Sequence, residues 1–157
     1  MDRVWITNGS TRVAPVVNSL HAACHRGFVP DEVYLLDNPG IADVTPRVET
    51  MVEAIVTAHG GDTPAFEVTS LEDETDFGGI VDFIASTVRS AEANDAEVAV
   101  DVTPGRKFWS FIAFQSGVTH DADHLYYLHV RTEDYFGASY AAIPRTAADL
   151  IDFTEVI

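Results

Sequence analysis

"DVTPGRKFWS", residues 101–110, is the stretch on which the fold class turns. It opens at the end of "EVAVDV", a short and almost wholly apolar run that reads as a strand. It closes in "FWSFIAFQSG", a run of helical length that is apolar nearly all round and so predicts a helix buried against the sheet and against something else, a dimer partner being one candidate. Between them "TPGRK" makes a turn. Strand, glycine turn and helix form the repeating unit of a parallel sheet, and here the turn carries Arg106 beside Lys107, the only lysine of the chain.

The same unit recurs upstream. "RVWITNG" reads as a strand ending in a glycine turn, and "APVVNSLHAACHRG" carries apolar residues at helical spacing until Gly27 stops it. "DEVYLL" is a second strand. Thr45 and Pro46 read as N-cap and first residue of a helix whose stripe is Val48, Met51, Val52, Ile55 and Val56. "PAFEVTS" is a third strand, and the acidic stretch Glu72–Asp76 leads into a helix with Phe77, Ile80, Val81, Ile84 and Val88 on its buried side. At the end, "HLYYLHV" and "SYAAI" read as two strands around the polar turn "RTEDYFG". The expectation is one α/β domain over residues 1–157: a Rossmann-like three-layer sandwich, with a mostly parallel sheet of about six strands and helices on both faces.

Composition bounds the function. The 157 residues are 46% hydrophobic, enough for one domain with a real core. Acidic residues number 25 against nine basic ones, for a formal net charge of -16, and the acids are scattered rather than gathered in a tail. Such a surface suits very high internal salt, which screens self-repulsion, and an extreme halophile is the expected source. The charge argues against general DNA or RNA binding and against anionic membranes, both of which need a basic footprint. Cys24, the single cysteine, excludes an internal disulfide. No leader-like segment or bilayer-length apolar run is present, so a cytoplasmic protein is expected.

Ligands of open α/β sheets bind beyond the carboxyl ends of the strands, where strand order reverses. If the first and fourth strands are neighbours there, "TNGSTR" and "TPGRK" become the two lips of one crevice. Each turn feeds a helix and so presents unpaired N–H groups and a positive dipole end. Asn8, Gly9, Ser10, Thr11 and Arg12 on one lip, with Thr103, Gly105, Arg106 and Lys107 on the other, form a candidate anion site in an anionic protein. Taken singly, the glycines are ordinary turn glycines and the hydroxyls helix caps; their pairing and the sole lysine favour a site. Neither turn has the G-x-G-x-x-G or G-x-x-x-x-G-K-[ST] spacing of the common nucleotide fingerprints.

At these residues the sequence resembles the CRISPR-associated Rossmann-fold (CARF) family. The resemblance rests on "ITNGSTRVAPVVNSL", on the second strand "PDEVYLL", on a D-x-T-x-G-x-K turn made by Asp101, Thr103, Gly105 and Lys107, and on the tyrosine-bearing "HLYYLHV". Pro104 and Arg106 stand where the family often has smaller residues. The resemblance implies a homodimer whose two crevices meet across the dyad to hold a cyclic oligoadenylate, the second messenger of type III CRISPR defence, with tetra-adenylate favoured and no cofactor. It further implies ligand contacts from both turns, and either a metal-independent ring nuclease using Ser10 and Lys107 or a non-catalytic sensor or accessory module acting through a partner protein. A small-molecule phosphate or nucleotide enzyme in the same crevice is the more distant alternative.

Other residues invite chemistry less strongly. His21 and His25 have zinc-binding spacing without a third ligand, and His120, Asp121, Asp123 and His124 suit a divalent ion or a polar loop equally; no metal is assigned. Phe108, Trp109, Phe111, Ile112 and Phe114 could stack bases, but such a run is more often core or interface. Tyr126 and Tyr127 alternate on a strand, one toward the core. Asp101 is read as a carboxylate accepting N–H bonds at the top of its strand.

Overall fold

Along strand β1 (Arg3–Asn8), Trp5 points to one side of the sheet, while Val4 and Ile6 point to the other, and all three are buried. A strand apolar on both faces needs a helix layer on each, and the sequence supplies them as crossovers. The computed structural model describes residues 1–157. The other strands are β2 (Glu32–Asp37), β3 (Ala65–Ser70), β4 (Glu97–Asp101), β5 (His124–Val130) and β6 (Ala148–Asp152); the helices are α1 (Val13–His25), α2 (Thr45–Ala58), α3 (Phe77–Ala93) and α4 (Lys107–Thr119). The sheet order is β3-β2-β1-β4-β5-β6, parallel except that β6 runs antiparallel to β5. This is the expected Rossmann-like architecture.

Trp5, Val33, Leu35, Ala99 and Leu128 pack against Val16 and Leu20 of α1 and Val48, Val52 and Val56 of α2. On the opposite face Ile6, Val98, Val100 and Leu125 meet Ile80, Ile84 and Val88 of α3 and Trp109 and Ala113 of α4. Fully burying each large side chain contributes about 1.5–3 kcal/mol, so these two layers dominate the stability. Strand order reverses between β1 and β4, which pair directly from Arg3 with Glu97 to Ile6 with Val100. No helix is long and apolar enough to cross a membrane.

The structure departs from the sequence reading in several places. "SYAAI" is not a strand: Tyr140–Ala142 is a single 3-10 turn, pinned to α1 because Asn18 accepts from the Tyr140 N–H at 3.0 Å and donates to Ala138 O at 2.8 Å. The sixth strand lies later, in "ADLID". Thr45 is the first helical residue of α2 rather than its cap, and its hydroxyl donates to the buried Asp37 at 3.0 Å. Met51, Phe77 and Val81, expected on buried stripes, are exposed. So is Phe111 of α4, at 71%, where the sequence predicts burial all round.

Candidate functional site

The turn after β1 is drawn tight against the end of β2: the Gly9 N–H donates to Leu36 O at 2.8 Å, and a side chain on Gly9 would press on Ile41. The turn after β4 is shaped by Gly105, whose φ of +88° disfavours any residue with a Cβ and whose missing side chain leaves room for the Asn8 amide. Asn8 of one lip thus sits under Gly105 of the other.

Asp101, wholly buried, fastens the two lips. Its Oδ2 accepts from Ser19 of α1 at 2.6 Å and from Thr7 of β1 at 3.0 Å, while Oδ1 accepts from the Thr103 N–H at 3.0 Å. Burial pushes its carboxyl up to about 6, and the bonds from Ser19, Thr103 and Thr7 only partly offset this. The expected acceptor role at the strand top therefore holds, with two hydroxyl donors that sequence could not place.

Beyond these turns lies a cleft of about 490 Å³, lined among others by Asn8, Gly9, Ser10, Thr11, Gly105 and Arg106. Both lips therefore contribute to one crevice, as the strand order requires. Of the remaining predicted residues, Thr103 is committed elsewhere, its hydroxyl accepting from the Leu128 N–H at 3.0 Å. Arg12 and Lys107 are exposed and do not line the cleft of this chain. The sequence reading did not single out Asn38, Ile41, Leu71 or Glu74 of the cleft wall; Trp109, considered for stacking, lines it too, buried with its indole N–H unpaired.

The electrostatics favour an anion near the two helix starts. Neither α1 nor α4 has a capping side chain or an acidic residue in its first turn, whereas α3 is capped by Asp76, which accepts from the Gly79 N–H at 2.9 Å. Arg106, the residue before α4, is the charged donor within the cleft, and it is paired with Glu74.

The other candidates resolve into structural contacts. His124 sits at the opposite end of the sheet, with Nδ1 2.6 Å from Asp152 and Nε2 3.0 Å from Glu97, and Asp123 accepts from the Val98 N–H. His21 packs its ring 5.3 Å from His59 and 5.0 Å from Tyr140. No three His, Cys, Asp or Glu side chains are grouped so as to hold a metal ion. Tyr126 stacks on Trp5 in the core, and Tyr127 lies on the other face beside Phe153.

No family model and no curated protein matches this sequence. Solved structures do match by shape. A type III CRISPR defence DNA nuclease activated by cyclic oligoadenylate superposes with a TM-score of 0.64 at 17% identity, covering 83% of this chain and 19% of that one. Csm6 of Enterococcus italicus, bound to cyclic hexa-2′-fluoro-hexa-dAMP, gives 0.65 at 16% identity over 96% of this chain and 41% of its own. Can2 from Sulfobacillus thermosulfidooxidans, in complex with cyclic tetra-adenylate, gives 0.58 at 14% identity over 80% and 31%. This chain thus spans between about a fifth and two fifths of the length of these structures. At such identities the likeness establishes the fold, one that this chain shares with a DNA nuclease of type III CRISPR defence.

Proposed function

We propose that this domain binds a cyclic oligoadenylate in the cleft between the β1–α1 and β4–α4 turns, as a CARF domain of type III CRISPR defence does. One observation carries the reading: two uncapped helix starts and Arg106 converge on a single cleft in a protein of net charge -16, a locally favourable place for phosphates where the D-x-T-x-G-x-K resemblance puts them. Fold neighbours that hold cyclic nucleotide ligands add support. A second copy of the chain completes the site. α4 begins at the cleft and leaves Phe111 and Val118 exposed, an apolar surface suited to a partner, and a two-fold dimer matches the symmetry of a ring of four or six nucleotides. Lys107, exposed at the start of α4, then reaches the ligand from beside the dyad.

Ring opening is the second reading, favoured by the Ser10 hydroxyl in the cleft wall. The ribose 2′-oxygen would attack the adjacent phosphorus in line, giving its proton to water; the P–O5′ bond would break, the 5′-oxygen taking a proton from water and a 2′,3′-cyclic phosphate remaining, while Ser10 orients the attack and Lys107 stabilises the charge on the phosphoryl oxygens. No histidine lines the cleft and its one carboxylate is engaged by Arg106, so a general base is lacking and turnover is slow. The test is incubation of the protein with cyclic tetra-adenylate in molar KCl with chelator. Binding by calorimetry supports the site. Linear products that disappear in Ser10→Ala, with affinity retained, support a ring nuclease. A bound but intact ring leaves a sensor. No binding of tetra- or hexa-adenylate rings overturns the reading.

A further inference from the structure

The cleft contains its own anion. Glu74 and Arg106 are the charged residues of its lining, and they face each other as a fork: Arg106 Nε donates to Glu74 Oε2 at 3.3 Å and Nη2 donates to Oε1 at 3.4 Å. A guanidinium takes a phosphate in the same two-pronged way. A carboxylate from the β3–α3 loop therefore occupies the donors that an incoming phosphate would use.

The loop is built to present that one acid. Asp73 is tied within its own loop, accepting from the Thr75 N–H and hydroxyl at 2.8 Å each, and Asp76 is held by the Gly79 N–H at the start of α3. With the acids on either side tied to backbone, Glu74 is the member of the run that reaches across to the other lip. The pair is also easily opened, since its side chains are 70% and 42% exposed, and exposed pairs hold weakly.

We infer that Glu74 is a competing carboxylate that holds Arg106 until a ligand phosphate displaces it. A small anion gains Arg106 only by replacing Glu74 and nets little. A ligand that also reaches the two helix starts and the apolar wall has further contacts to offset the exchange. The identity of that larger ligand rests on the proposed function; the exchange at Arg106 does not.

The test measures binding of cyclic tetra-adenylate and of inorganic pyrophosphate to the wild type, Glu74→Gln, Arg106→Gln and the double variant, at the lowest KCl that keeps the protein folded. Glu74→Gln is expected to bind both ligands about three- to fivefold more tightly, the upper range for an exposed ion pair, and the gain is expected to vanish when Arg106 is also replaced. A gain for pyrophosphate with no ring binding by any variant removes the messenger and keeps the competing carboxylate. Ring binding that is indifferent to Glu74 keeps the messenger and overturns the inference. A gain for neither ligand, or one that persists without Arg106, also overturns it.

Discussion

Replacing Asp101 with asparagine separates the charge of this side chain from its shape. The carboxyl is 0% exposed and its pKa is raised from 3.8 to about 6, chiefly by burial. The folded state therefore holds a proton more tightly than the unfolded chain. Its contribution to stability is full below pH 3.8 and is lost as pH rises through about 6. A shift of roughly two units at about 1.36 kcal/mol per unit makes the loss about 3 kcal/mol by neutral pH. Asparagine keeps the acceptor for the Thr103 N–H and offers an amide to the Ser19 and Thr7 hydroxyls, which can turn to accept.

The assay is urea unfolding of wild type and Asp101→Asn at fixed molar KCl, from pH 4 to pH 7.5. Other carboxylates and histidines titrate alike in both proteins, so the difference between the two stability curves isolates Asp101. That difference is expected to move in favour of Asp101→Asn by about 2.4 kcal/mol across the range, the remainder lying below pH 4. Two curves that run parallel would refute the argument, because they would mean that the buried carboxyl ionises as it does in water.

Gly105→Ala is expected to cost at least about 1–2 kcal/mol, since its φ lies in the left-handed region and the new methyl meets Asn8; it should abolish ring binding while far-UV circular dichroism stays unchanged. For His124, burial pulls the imidazole pKa down, but the hydrogen bonds it donates to Glu97 and Asp152 outweigh it and leave the pKa raised; those bonds, with Arg3 on Glu97 and the Leu125 and Thr154 donors on Asp152, overcome burial to lower both carboxyls. The network is thus fully formed above the ordinary carboxylate range and below pH 6.5, and His124→Gln should lose roughly 1.5–3 kcal/mol in that window, with the gap narrowing at pH 9, as read by thermal unfolding. Ring affinity of the wild type is expected to rise between 0.1 and 1 M KCl, as the screening length shrinks from about 10 Å to about 3 Å and distant acids cease to repel the ligand. Affinity that falls steadily with salt, with the fold intact, would place the ligand on a basic surface instead.

Most of this architecture is readable from local pattern. Period and punctuation alone place β1–α1 and β4–α4, because a strand apolar on both faces and a glycine before a helix have few other solutions, and the switch point follows from chirality. Asn8, Gly9, Ser10, Thr11, Gly105 and Arg106 reach the cleft for the same reason. Glu74, Asn38 and Leu71 are not legible, since they belong to loops whose approach depends on how far β2 and β3 extend and on the register between them. The motif position of Thr103 suggests a ligand contact, yet its hydroxyl satisfies a backbone N–H of β5, a pairing visible only once β4 and β5 are neighbours. β6 is missed because "ADLID" is short and follows Pro144, while "SYAAI" is the more continuously apolar run and is drawn out of the sheet by the Asn18 amide, which binds the Tyr140 N–H.

The acidity of the chain and the charge of its cleft answer to different distances. At molar salt, charges more than a few ångströms from a phosphate contribute little, so the acids spread over the outer surface do not set the affinity of the site. What a bound anion meets is the first layer: the free N–H groups of two helix starts, the Arg106 fork and the Glu74 carboxylate already seated on it. One acid placed in that layer outweighs many spread over the surface. Asp101, ionised at neutral pH only a strand end away, is kept from acting as another by being closed off behind Ser19, Thr7 and Thr103, which take up its lone pairs and tie the two lips through its hydrogen bonds.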